Sequence, residues 1–127
     1  MSILQEFREW LHQWFRRDEV EAMTERPWGT AEGVKIGGRI MMNIEEFLQL
    51  AAAFLIEREG LSSLEVQAVA NGSDLYIFDL ETRTVLAAAA YQESVVEPAA
   101  LERFLAKAAS EIEESKPVMA VRALVEC

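Results

Sequence analysis

A chain of 127 residues, 51% hydrophobic and 27% charged, has the length and composition of one ordinary globular domain spanning residues 1–127. The net charge of −10 is shared by both halves, with 7 basic against 11 acidic side chains in residues 1–63 and 5 against 11 in residues 64–127. That balance argues against nucleic acid and anionic membrane surfaces as partners, because both require a basic footprint.

The longest apolar run, Leu50 to Ile56, is too short to span a bilayer. The N-terminus lacks the basic-then-apolar pattern of a secretory signal, so the expected location is the cytoplasm. Cys127, the lone cysteine, has no partner for an internal disulfide and no neighbouring ligands for a metal.

In chain order, Ser2 to about Glu19 reads as one helix, with Ile3, Leu4, Phe7, Trp10, Leu11, Trp14 and Phe15 at three- and four-residue spacing and Ser2 as N-cap. Trp10 and Trp14 make its apolar face bulky, so each is either core or an anchor for a partner protein. Its polar side mixes Arg8, Arg16 and Arg17 with Glu6, Glu9, Asp18 and Glu19, which is not the cationic face of a membrane-surface helix. His12 falls on that polar side as a solvated residue.

Val20 to Thr24 reads as a short strand, Arg26 to Gly29 as a turn, and Gly33 to Met42 as a strand interrupted by Gly37-Gly38, which marks a bulge or a hairpin turn. The glycines do not make a phosphate loop: no Gly-Lys-Ser/Thr follows, and their spacing is not Gly-x-Gly-x-x-Gly. Trp28, beside Pro27 in the turn, is a third candidate anchor; the alternative is that it packs on the first helix.

Asn43 to Gly60 is the stretch around which the rest is organised. Asn43 caps it, Glu45 and Glu46 suit the positive end of its dipole, and Gly60 supplies a left-handed stop. Ile44, Phe47, Leu48, Ala51 and Leu55 make a core stripe, yet Leu50, Ala52, Ala53 and Ile56 carry apolar surface round the other side. A helix apolar nearly all round is normally covered twice, here by its own sheet and by another helix or subunit.

Three strand-like segments follow, Leu64 to Ala70, Leu75 to Leu80 and Val85 to Tyr91, joined by short polar links as an antiparallel meander. The last helix begins at Pro98, buries Leu101, Phe104, Leu105, Ala108 and Ile112, and should end before Pro117. Val118 to Val125 then reads as a further strand or a short helix.

No catalytic constellation emerges along the sequence. The serines have no neighbouring histidine, Asp74 and Asp79 lack calcium-loop spacing, and no metal shell or cofactor motif is present. The expectation is a protein without enzymatic activity, metal or cofactor.

The order helix, two short strands, apolar helix, three-stranded meander, helix resembles the Roadblock/LC7 family, most clearly over Ile44 to Ile112. The resemblance departs in the first half, where Arg26-Pro-Trp-Gly29 and Gly33 stand in place of an Asp-Gly turn, and again after Pro117. It implies an α+β fold with a single antiparallel sheet of about five strands between a helix pair and one central helix, a profilin-like layering.

It further implies a dimer with central helices antiparallel and sheets joined edge to edge, and a role in regulating or scaffolding a Ras-like small GTPase or a larger complex. Carried over by position, the interface is Gln49, Ala52, Ala53 and Ile56 with Leu64 and Val66 of the first meander strand. The partners expected are a second copy and another protein.

Two other classes fit the composition. A secretion-chaperone-like or YbjN-like client-binding protein would place three strands between its first two helices and about two between its last two. A ligand-sensing domain of PAS or profilin-like architecture would enclose a pocket among its aromatics.

Overall fold

The structure, a computed structural model, describes residues 2–61 and 65–126, the last ten of these as backbone. Leu64 and Cys127 lie outside the described residues. The chain is α+β: helices α1 (Ile3–Leu11) and α2 (Arg17–Thr24), strands β1 (Trp28–Gly29), β2 (Val34–Ile36) and β3 (Arg39–Met42), and helix α3 (Ile44–Arg58). Strands β4 (Val66–Asn71), β5 (Asp74–Asp79), β6 (Thr84–Ala90) and β7 (Val95–Val96) come next, then helix α4 (Pro98–Glu126).

The single N-terminal helix expected over residues 2–19 is two helices. Arg16 takes an extended backbone, φ −74° and ψ 158° being the cap of α1 at Ser2 and φ −74°, ψ 163° that of α2 at Arg16. The Glu19 carboxylate accepts the Arg16 N–H at 3.0 Å, starting a new helix where the first would have continued. Val20 to Thr24, expected as a strand, is therefore helical. Thr24 Oγ1 donates back to the Val20 carbonyl at 2.7 Å within it.

Among the described residues the strands form three antiparallel sheets, β1-β7, β2-β3 and β4-β5-β6, and not the single five-stranded sheet expected. Gly37-Gly38 turns the β2-β3 hairpin, with both glycines at positive φ and a register shift between Val34 and Lys35. The hairpin cannot extend the meander at β6, because α4 occupies that edge. Glu111 accepts the Ala88 N–H at 2.6 Å and Ser115 donates to the Leu86 carbonyl at 2.8 Å.

Helix α4 also differs from expectation, running through Pro117 to Glu126 as backbone. The turn entering the proline is held from outside, by Ser115 on Leu86 and by Lys116, whose ammonium donates to Glu59 at 2.8 Å. These external ties offset the hydrogen bond that proline removes from the helix.

One core joins these elements. Phe7 of α1 meets Phe47 and Phe54 of α3 at ring separations of 5.8 and 5.1 Å. Leu75, Ile77, Ala87 and Ala89 of the meander are buried with Leu101, Leu105 and Ile112 of α4. Along β5 burial alternates strictly, so Leu75 and Ile77 face the core while Tyr76 and Phe78 face the other way. Val69, Tyr76 and Phe78 lie outside the core cluster. Helices α1, α3 and α4 touch one another, whereas the layering implied by the resemblance would set one central helix apart.

Candidate functional site

The outward side of α3 is less apolar than its sequence suggests: Ala53 is exposed among Glu45, Glu46, Gln49 and Glu57, whereas Leu50 and Ile56 pack in part against the chain's own core. Phe47, Leu48, Ala51, Ala52, Phe54 and Leu55 are buried, whereas Gln49 and Ala53 are exposed and Ile56 half-buried. Gln49, Ala53 and Ile56 recur at four and three residues and so form one strip along the helix. Ala52 does not join it: as a small residue at a close contact with the chain's own core it is fully buried.

On one flank stands the α1 aromatic pair. Trp10 is half-buried, with its ring 5.8 Å from Phe54 and its indole N–H donated to Glu57 at 2.8 Å. Trp14 rests edge-on against Trp10 at 4.6 Å and remains 59% exposed. The break after α1 explains this exposure, since it carries Trp14 off the helical stripe that buries Phe7 and Leu11. Trp28 is not an anchor but core: its indole N–H donates to the Met23 carbonyl at 3.1 Å and its ring stands edge-on to Phe47 at 5.4 Å.

On the other flank α3 packs against β4, an edge strand. The Leu80 N–H donates to the Glu65 carbonyl at 2.8 Å. With the observed register, the backbone groups of Gln67, Val69 and Asn71 therefore turn to β5, and those of Val66, Ala68 and Ala70 turn outward. The Val66 side chain is buried, so this residue offers its backbone to the edge and not its side chain. Val-Gln-Ala-Val-Ala-Asn has no charge, no proline and no bulge, none of the devices that blunt an exposed edge.

The two edges of the meander are thus treated oppositely. Glu111 and Ser115 satisfy one outward N–H and one outward C=O of β6, and no such contact meets β4 among the described residues. Sequence reading located the strand but not this asymmetry. Its one signal is an uncharged strand in a chain of net charge −10.

Elsewhere the ionisable groups brace helices. Glu6, Arg58, Glu59, Lys116 and Glu113 form a chain of ion pairs from α1 through α3 to α4. The hydrogen bond to Glu59 foremost, followed by that to Glu113, raises the Lys116 pKa. Asp79 is buried and accepts the Glu81 N–H at 3.0 Å, which closes the β5–β6 turn.

His12 is exposed, and among the described residues no three His, Cys, Asp or Glu side chains cluster as metal ligands would. An open cleft of about 640 Å³ lies between the start of α2 and the β2-β3 hairpin, and another of about 330 Å³ beside Trp28. Neither brings together a nucleophile and a base. Among the described residues no helix is long and apolar enough to cross a membrane. No family model, curated protein or solved structure matches the chain.

Proposed function

We propose that the chain is a non-catalytic interaction module of the cytoplasm that pairs with a second copy. The pairing surface is the α3 strip of Gln49, Ala53 and Ile56 together with the bare edge of β4, and Trp14 stands at its rim. One observation carries this reading: α4 side chains meet one edge of the meander, and among the described residues the other has no such contact, beside the exposed strip of α3. Antiparallel addition of β4 to its counterpart would satisfy outward N–H and C=O groups of both strands, and small Ala53 would let the two α3 helices approach.

This is the pairing mode that the Roadblock-like order implies, and a paired module of that kind would serve as a scaffold or regulator of a Ras-like GTPase or a larger complex. Sedimentation equilibrium tests the pairing. The native chain should be a dimer at micromolar concentration, and both Ala53→Glu and Ala68→Pro should be folded monomers there. Proline at Ala68 removes an outward N–H without touching the bonds to β5. A native chain that is monomeric, or a dimer indifferent to both substitutions, refutes the seam.

A second reading keeps one observation in its favour. Three short strands, β1, β2 and β3, precede α3, as in the secretion-chaperone-like and YbjN-like arrangement, although β4 to β7 exceed the two strands that arrangement places after it. In that case the β4 edge would hold an extended client segment, and Ala68→Pro would abolish client binding without changing the mass of the free protein.

A further inference from the structure

Away from the α3–β4 seam the described residues include two apolar patches with exposed members, and their charges are opposite. On the β2-β3 hairpin, Lys35 and Ile40 are directly opposed in register and share one face. Ile40 is 64% exposed, the highest value among the described large hydrophobic side chains, and Lys35 makes no ion pair among the described residues. On the meander, the face turned away from the core carries Val69, Tyr76 and Phe78, with Tyr76 and Phe78 stacked at 6.1 Å. At one end of that face Leu80 is 47% and Val85 52% exposed, and Glu65, hydrogen-bonded to Leu80 through its backbone, makes no ion pair among the described residues.

We propose that the hairpin of one copy docks on the outer meander face of another, with Ile40 against Leu80 and Phe78 and Lys35 beside Glu65. The two apolar–charged pairs, Ile40 with Lys35 and Leu80 with Glu65, complement each other in both respects. Residues 12–42 hold five basic and five acidic side chains, whereas residues 43–126 hold six basic and fifteen acidic. The hairpin thus belongs to the one part of the chain that the acidic remainder does not repel.

Size also fits. Strands of three and four residues make a ribbon of roughly 10–14 Å, which lies within a three-stranded face about 20 Å long. The contact joins two different surfaces, so it propagates from copy to copy where a two-fold seam would stop at two. It goes beyond the pairing proposed above and does not depend on it.

The test is sedimentation equilibrium from micromolar to millimolar concentration. The native chain should exceed the mass of a dimer at the upper end, and Ile40→Asp should remove the excess while leaving the dimer. Lys35→Glu should do the same, and mixing it with Glu65→Lys should restore association between the two variants at least tenfold over either alone. Raising the salt concentration should weaken the restored contact.

Failure is separable from failure of the α3–β4 seam. Ala53→Glu breaks the seam alone and should still associate at millimolar concentration through the hairpin. A native chain that stops at the dimer, or excess mass indifferent to both Ile40→Asp and Lys35→Glu, overturns the proposal.

Discussion

The carboxylate of Glu111, on α4, accepts the backbone N–H of Ala88, on β6, at 2.6 Å, so a helix side chain stands where a neighbouring strand's carbonyl would otherwise be. One helical turn on, Ser115 supplies the complementary donor to the Leu86 carbonyl at 2.8 Å. Together they cover the middle of an edge without a strand. Replacing Glu111 with Ala leaves a part-buried N–H without its charged acceptor and should cost about 1–3 kcal/mol, against about 0.5–1.5 kcal/mol for Ser115→Ala. Urea unfolding checks both, and the larger loss belongs to Glu111. Equal stability of all three proteins would show the edge to be satisfied by water.

The two α1 tryptophans should separate stability from association. Trp10 stacks on Phe7 at 6.1 Å, meets Phe54 and holds Glu57, so Trp10→Ala should cost about 2–4 kcal/mol. Trp14 touches Trp10 with one edge and is otherwise in solvent, so Trp14→Ala should change stability by less than about 1 kcal/mol while weakening the dimer. Thermal unfolding and sedimentation on the same two variants decide this. A Trp14 variant that unfolds as readily as the Trp10 one would place both rings in the core.

What was legible in the sequence follows the range of the interactions. The α3 cap is local, Asn43 accepting the Glu46 N–H at 2.9 Å, and so is its glycine stop, Gly60 at φ 71°. The α4 stripe of Leu101, Phe104, Leu105, Ala108 and Ile112 is local too, and all five residues are buried as the spacing requires. The break at Arg16 was hidden because Trp14 and Phe15 prolong the apolar period past the point where Glu19 caps a new helix. The split sheets and the one bare edge depend on Glu111 and Ser115 reaching residues 23 and 29 positions away, and no local pattern encodes that choice. Of the candidate site, Gln49 and Ala53 fell on the exposed side of α3, and Ile56 only in part, since it also packs against the core. Ala52, Val66 and Trp28 did not, because how deeply each sinks is set by the element packed against it.

Glycine substitutions should differ sharply within one hairpin region. Gly33 sits at φ +72°, and a Cβ there would collide with the Met42 carbonyl oxygen, a backbone atom that cannot move without disturbing the β2-β3 pairing. Gly38 has a similar φ of +79°, but a Cβ there would meet open space. Gly38→Ala therefore incurs backbone strain alone, about 1 kcal/mol, and Gly33→Ala should cost at least about 2 kcal/mol more. Chemical denaturation of the pair checks the difference. Equal losses would mean that the hairpin shifts to admit the methyl group.

Tyr91 should make the fold sensitive to alkali. Its ring is buried edge-on to Phe104 at 5.8 Å, and its hydroxyl donates to the Val95 carbonyl at 3.0 Å and accepts the Glu97 N–H at 3.2 Å, tying β7 to the start of α4. Burial foremost pushes the phenol above its ordinary value of 10.0; the Glu97 N–H works against that shift, while the charges of Glu93 and Glu97 add to it. A raised pKa means the folded state holds the proton more tightly than the unfolded one. The stabilisation is therefore complete below pH 10, declines as the pH rises from there, and is lost once the folded-state pKa is passed. At neutral pH, Tyr91→Phe should cost about 1–2 kcal/mol, because it strips a partner from two part-buried backbone groups. Its stability should then fall less steeply than the native protein's above pH 10, so the two curves converge. Lys116, also raised, titrates in both proteins and cancels from the difference. Denaturant midpoints at several values from neutrality upward provide the measurement, and parallel curves would show that the phenol ionises as readily in the folded chain as in the unfolded one.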